Sequence, residues 1–141
     1  VSEILSVRPA DDTWGVYEVA SPAGDRRYRR KPCATCPWAK DSPVGAFPPE
    51  AFIESARTAY DLATHTFGCH TSGADVPTTC AGFILAGSAH NLGMRMSSVD
   101  PDTVSDGGRE LYASYRAMAV ANGVPADHPA LARCRDDGAI R

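Results

Sequence analysis

Four cysteines carry the clearest chemistry in this sequence. Cys33-Ala34-Thr35-Cys36 is a C-x2-C knuckle, and Cys69 and Cys80 extend it to C-x2-C-x32-C-x10-C. A two-residue spacer lets both sulfurs face one ion while the intervening amides turn toward them and stabilise thiolate charge. Cys80 is expected in the first turn of a helix, where the dipole also favours a thiolate. The chain has five cysteines, an odd number. In a reducing compartment they read as ligands or reactive thiols before disulfides. Zinc(2+) is the first cofactor to expect, since four thiolates, or three with one imidazole, close its tetrahedron. An iron–sulfur cluster is the alternative, because it takes the same thiolates. The ten-residue second gap and Pro37 directly after Cys36 lean that way. A redox C-x2-C pair is disfavoured, because a Pro-rich loop follows where a helix is needed. His70, next to Cys69, and Cys134 are the alternate ligands. His65, His90 and His128 have no ligand spacing.

Three strings surround these cysteines: Lys31-Pro-Cys-Ala-Thr-Cys-Pro-Trp38, Phe67-Gly-Cys-His70 and Cys80-Ala-Gly-Phe83, with the segment Leu92 to Arg95 after them. This pattern of C-x2-C-P-aromatic, Cys-His and Cys-Ala-Gly resembles a cysteine-rich domain family of unknown function found in actinobacteria and their phages. The likeness covers residues 31–96 and extends toward Cys134. It implies that the four cysteines share a metal site, and it implies no established activity. Ala39 stands where that family often carries Arg, and Lys40 beside it takes over the charge.

The second chemical feature is a charge run. Residues 26–40 hold Arg26, Arg27, Arg29, Arg30, Lys31 and Lys40 with no acid, a local +6. The other 8 basic and 17 acidic residues leave −9 elsewhere, for a net −3. A generally basic nucleic-acid coat is excluded; a local basic arm is not. Arg26, Arg27, Arg29, Arg30 and Lys31 would meet phosphates and Tyr28 would stack on a base. The competing reading is a solvated hairpin edge that charge keeps from pairing. Trp38 is expected to pack against the metal loop. Arg95 is expected to clamp an acid from a later helix. No G-x-S-x-G, phosphate loop or H-E-x-x-H occurs, and no H-x-E precedes the knuckle as a deaminase requires.

The elements that must position these residues follow from pattern and punctuation. The first dozen residues read as loosely ordered. Trp14 to Ala20 reads as a strand, Ser21 to Asp25 as a turn and Arg26 to Lys31 as the returning strand, stopped by Pro32. Pro49-Glu50 opens a helix with Phe52, Ile53, Ala56, Tyr60 and Ala63 on its buried face. A second, central helix is expected from Thr79 to Met96, capped by Thr78 or Thr79. Its glycines Gly82, Gly87 and Gly93 would permit close packing. A third follows Asp106, with Leu111, Tyr115 and Met118 buried, and ends at Asn122-Gly123. Pro129 starts one more turn.

The expected fold class is α+β. A small N-terminal β-hairpin is followed by about three helices, and one metal site ties residues 33–36 to the 69–80 loop. Residues 1–141 form a single metal-binding domain. No apolar run approaches a membrane span, and the N-terminus shows no signal-peptide pattern, so the expected place is the cytoplasm. The 12 Arg against 2 Lys suggest a GC-rich genome. Three functions are open: a non-catalytic zinc-type module binding nucleic acid or a regulatory protein, an iron–sulfur switch responsive to redox state or iron, and a metal-dependent enzyme with an open coordination position.

Overall fold

The computed structural model describes residues 3–10, 15–20, 27–72 and 77–135. The chain opens with strand β1 (Glu3–Pro9) paired antiparallel with β2 (Gly15–Ala20), from Glu3↔Ala20 to Pro9↔Gly15 with a one-residue register shift between Ile4 and Ser6. A hairpin therefore stands at the N-terminus, but its strands differ from those expected. β2 pairs with the segment before it, so the first dozen residues supply a strand where loose order was expected. Pro9 is tolerated there because it ends the ladder. Arg8 anchors the hairpin to the first helix through Glu54, at 3.2 Å. The expected turn, Trp14 and Arg26 lie outside the described residues.

The basic segment goes elsewhere. Strand β3 (Arg27–Tyr28) pairs in parallel with β4 (Thr78–Thr79), and the Arg29 amide adds a bond to the Thr79 carbonyl at 3.0 Å. The arm is therefore laid into the domain, not along a hairpin edge. Thr79 also bridges Gly68 on its other side, so β4 joins three stretches of chain.

The mixed α+β character is as read from the sequence. Helix α1 (Pro49–Ser55) starts at the proline, with Glu50 in its first turn, and runs on as a 3₁₀ turn over Ala56–Ala59. Phe52 and Ala56 are buried. The helix expected over 79–96 is two short helices, α2 (Ala81–Ala86) and α3 (Leu92–Arg95). Gly87 ends the first, and Ser88 Oγ donates to the Ile84 carbonyl at 2.7 Å. Asn91 caps the second by accepting from the Met94 amide at 2.9 Å. Such residues satisfy helix ends with their own side chains, so the break is local chemistry overriding apolar periodicity. Cys80, not a threonine, takes the cap position of α2. Helix α4 (Tyr115–Ala121) begins after Ser114, whose Oγ accepts from the Ala117 amide at 3.1 Å. Asp106 instead caps a turn, and Leu111 precedes the helix and bridges Ala39. The end at Asn122-Gly123 is as read, with Gly123 at φ 101°. So is the turn Pro129–Leu131.

Trp38 is the centre of the core. It is fully buried, edge-on to Phe67 at 6.0 Å and to Tyr115 at 5.8 Å. Helix α2, all but Leu85 buried, lies across it. A Cβ on Gly82 would fall 2.7 Å from Trp38 Cγ, and one on Gly87 2.9 Å from its Cζ2. The two glycines are thus the groove that seats the indole. They place the knuckle, two residues before Trp38, against Cys80, two residues before Gly82.

Candidate functional site

The knuckle is a tight turn. The Cys36 amide donates to the Cys33 carbonyl and the Ala39 amide to the Cys36 carbonyl, both at 3.1 Å. Opposite it, the Cys69 amide donates to the Thr78 carbonyl (2.7 Å) and the Cys80 amide to the Phe67 carbonyl (2.9 Å). This short antiparallel exchange places Cys69 and Cys80 diagonally across the Gly68–Thr79 bridge despite the ten residues between them. All four thiols are buried and free of disulfides.

Cys36 Sγ and Cys80 Sγ lie 3.7 Å apart. Cys33 Sγ is 3.5 Å from His70 Nε2, and Cys69 Sγ is 3.0 Å from Thr71 Oγ1. The thiols feel one another's charge. The hydrogen bond from Cys80, helped by the amides of Trp38 and Ala39 and by Arg109, brings Cys36 down to about 7. Cys80 is correspondingly held well above the ordinary thiol value by sharing its proton with Cys36, by burial and by the charges of Cys36 and Cys69. Burial and the charge of Cys69 push Cys33 up. Burial opposes ionisation of Cys69, but Thr71, Ser72 and the Arg29 charge outweigh it and lower it. The four form one electrostatic cluster with a deep pair, Cys36 and Cys80. Among the described residues no group of three or more His, Cys, Asp or Glu side chains is set to hold an ion as it stands.

His70 lies at the rim. Its Nε2 meets Thr35 Oγ1 at 2.9 Å, its ring meets Phe47 edge-on at 4.8 Å, and burial lowers its basicity. Cys134 is elsewhere. It bridges Tyr60, its Sγ is 3.9 Å from the carbonyls of Ala56 and Ala130, and burial pushes it up to about 11.

The basic arm borders the cluster. Arg29 Nη1 reaches Thr71 Oγ1 at 3.5 Å, beside Cys69. Arg30 turns back over the Tyr28 ring at 4.3 Å and donates to Thr103 Oγ1 at 2.5 Å; Tyr28 meets the same hydroxyl at 2.9 Å. Arg27 and Lys31 are exposed. Lys40 pairs with Glu110 at 3.0 Å. Among the described residues Arg95 clamps no acid: its Nε donates to the Ala89 carbonyl at 2.6 Å, because the shortened α3 leaves it against its own preceding turn.

One residue escaped the sequence reading. Arg109 Nη1 donates to the Cys33 carbonyl at 2.6 Å and Nη2 to the Ala34 carbonyl at 3.2 Å, while the guanidinium grips Asp41 at 2.7–3.2 Å. The available signal was Gly107-Gly108 just before it. Both glycines have positive φ, 68° and 78°, and so mark a deliberate sharp turn.

The sequence profile described as Family of unknown function (DUF6283) matches residues 28–135. The chain belongs to that family. The DUF6283 match begins inside β3 and ends beside Cys134, so it takes in all five cysteines and Arg109 and leaves out the β1–β2 hairpin. No curated protein and no solved structure matches the chain. Among the described residues, no helix is long and apolar enough to cross a membrane.

Proposed function

We propose that this DUF6283 domain is a small, non-catalytic metal-binding module in which Cys33, Cys36, Cys69 and Cys80 hold one zinc ion. The observation that carries this reading is the 3.7 Å between Cys36 Sγ and Cys80 Sγ. Zinc–sulfur bonds of ~2.3 Å in a tetrahedron set neighbouring sulfurs about 3.8 Å apart. The deep pair is thus spaced as one edge of that tetrahedron, and it joins two segments 44 residues apart. Four thiolates around a divalent ion carry excess negative charge. The charges of Arg109 near Cys36 and Arg29 near Cys69 offset it. When bound, zinc would supply a cross-link between the knuckle and α2 and no redox chemistry.

An iron–sulfur centre is the second reading. Four buried thiols without a disulfide suit it as well, because a cluster takes the same thiolates. Protein prepared without oxygen separates the two. Colourless protein with one equivalent of zinc supports the module. A brown protein absorbing near ~400 nm with iron and sulfide supports the cluster. Absence of both sinks the metal reading.

For the partner, we infer nucleic-acid phosphates bound by the exposed part of the basic arm, with a regulatory protein as the alternative. Five cysteines without a disulfide suit the cytoplasm. The Arg-rich, Lys-poor composition suits an actinobacterial or phage source.

A further inference from the structure

We propose that Arg109, oriented by Asp41, is the positioning residue of the thiolate centre: its guanidinium fork fixes the knuckle from outside so that Cys33 and Cys36 present their sulfurs to a metal. This rests on the reading that the four cysteines hold an ion.

The turn of residues 105–108 exists to deliver this side chain. Ser105 is pinned to the Arg30 carbonyl at 2.8 Å, and its Oγ accepts from the Gly107 amide at 3.0 Å. Asp106 Oδ1 accepts from the Gly108 amide at 2.8 Å. Two consecutive residues at positive φ then reverse the chain, a path costly for any residue but glycine. Arg109 emerges over the back of the knuckle.

There its donors are committed in two directions. Toward the knuckle, they meet the carbonyls of Cys33 and Ala34. Toward the exit loop, Nε and Nη2 take both oxygens of Asp41, and Nη2 also reaches Ser42 Oγ at 3.1 Å. The Cys33 carbonyl already accepts from the Cys36 amide, so the guanidinium polarises the very peptide that closes the turn. Carbonyls held outward leave the knuckle amides facing the sulfurs. The Asp41 pair is two-pronged, which fixes the plane of the guanidinium as well as its position. Lysine has the charge but not the fork.

The test uses the whole chain, loaded with zinc or cobalt(II), in four forms: parent, Arg109→Gln, Arg109→Lys and Asp41→Asn. Zinc affinity is measured by chelator competition, the thiolate absorption of the cobalt form reports ligand geometry, and thermal unfolding of metal-free protein reports the fold alone. Loss of an outer partner of a ligand weakens metal binding roughly 10–100-fold. We expect that loss in Arg109→Gln, nearly the same loss in Arg109→Lys, a smaller one in Asp41→Asn, and a changed cobalt spectrum in each. Parent-like affinity and spectrum in Arg109→Gln or Arg109→Lys, whatever the change in metal-free unfolding, would overturn the proposal and leave the metal centre standing. A parent that binds neither ion overturns both.

Discussion

Replacing Gly82 by Ala sets two physical effects against each other with opposite signs. Helix propensity alone favours Ala over Gly by about 1 kcal/mol in a helix interior. Packing opposes it. The added methyl would meet Trp38 Cγ at 2.7 Å and Cδ1 at 3.1 Å, with Trp38 Cβ nearer still. The offending atoms sit at the root of the side chain, so no rotamer change relieves them and α2 must move off the knuckle. Overpacking of this kind costs about 1–3 kcal/mol, and a clash with a fully buried indole belongs at the upper end. The net expectation is a destabilisation of roughly 2 kcal/mol, a fall in unfolding midpoint of ~6–10 °C for a chain of this size. Gly68→Ala is the control: its nearest neighbour is the Thr78 carbonyl at 3.9 Å, so stability should hold or rise slightly. Urea and thermal unfolding of both variants, metal-free and metal-loaded, give the comparison. Moving α2 also draws Cys80 from Cys36, so metal affinity should fall in Gly82→Ala and not in Gly68→Ala. A Gly82→Ala protein as stable as the parent would refute the packing of α2 on Trp38.

Three further outcomes follow from the same geometry. Cys36→Ser should lose its metal and most of the stability that metal confers, whereas Cys134→Ser should keep one equivalent; equal retention in both, by metal analysis, would contradict the ligand set. Cys134 is raised in the fold from its ordinary 9.0 to about 11, so its contribution is fully present below pH 9 and is lost as pH climbs through 11. That is up to about 2 kcal/mol after discount for residual solvent, and Cys134→Ala should flatten the alkaline limb of the stability profile. Arg27→Ala with Lys31→Ala should weaken binding to labelled DNA or RNA of any sequence and reduce the salt slope by about one unit for each phosphate no longer neutralised. No binding by the parent at ~50 mM salt would remove the arm from consideration.

Local chemistry made much of the molecule readable. Pro49 and Glu50 announced α1, Asn122-Gly123 closed α4, and the apolar run after Cys80 marked a central helix. What escaped was non-local. Nothing near Arg27 or Thr78 announces that they pair in parallel across a third of the chain, because a two-residue strand carries no periodicity. The helix over 79–96 looked continuous because its apolar residues are; Ser88 and Asn91, whose side chains end one helix and start the next, were the clue. The basic arm looked free because sequence shows charge but not the Thr103 hydroxyl that holds Arg30 and Tyr28. Arg109 looked like one surface arginine among twelve, and only the glycine pair before it distinguished it.

The burial of Trp38 against Tyr115 sets an order of events during synthesis. The indole is made 77 residues before the ring that covers it, and at ~5–20 residues per second that gap lasts about 4–15 s. The knuckle leaves the ribosome long before its core exists, and Arg109, its clamp, arrives only shortly before Tyr115. For that interval Cys33 and Cys36 stand as an open thiol pair on an unpacked loop. Through it the nascent chain exposes two thiols that the finished fold buries.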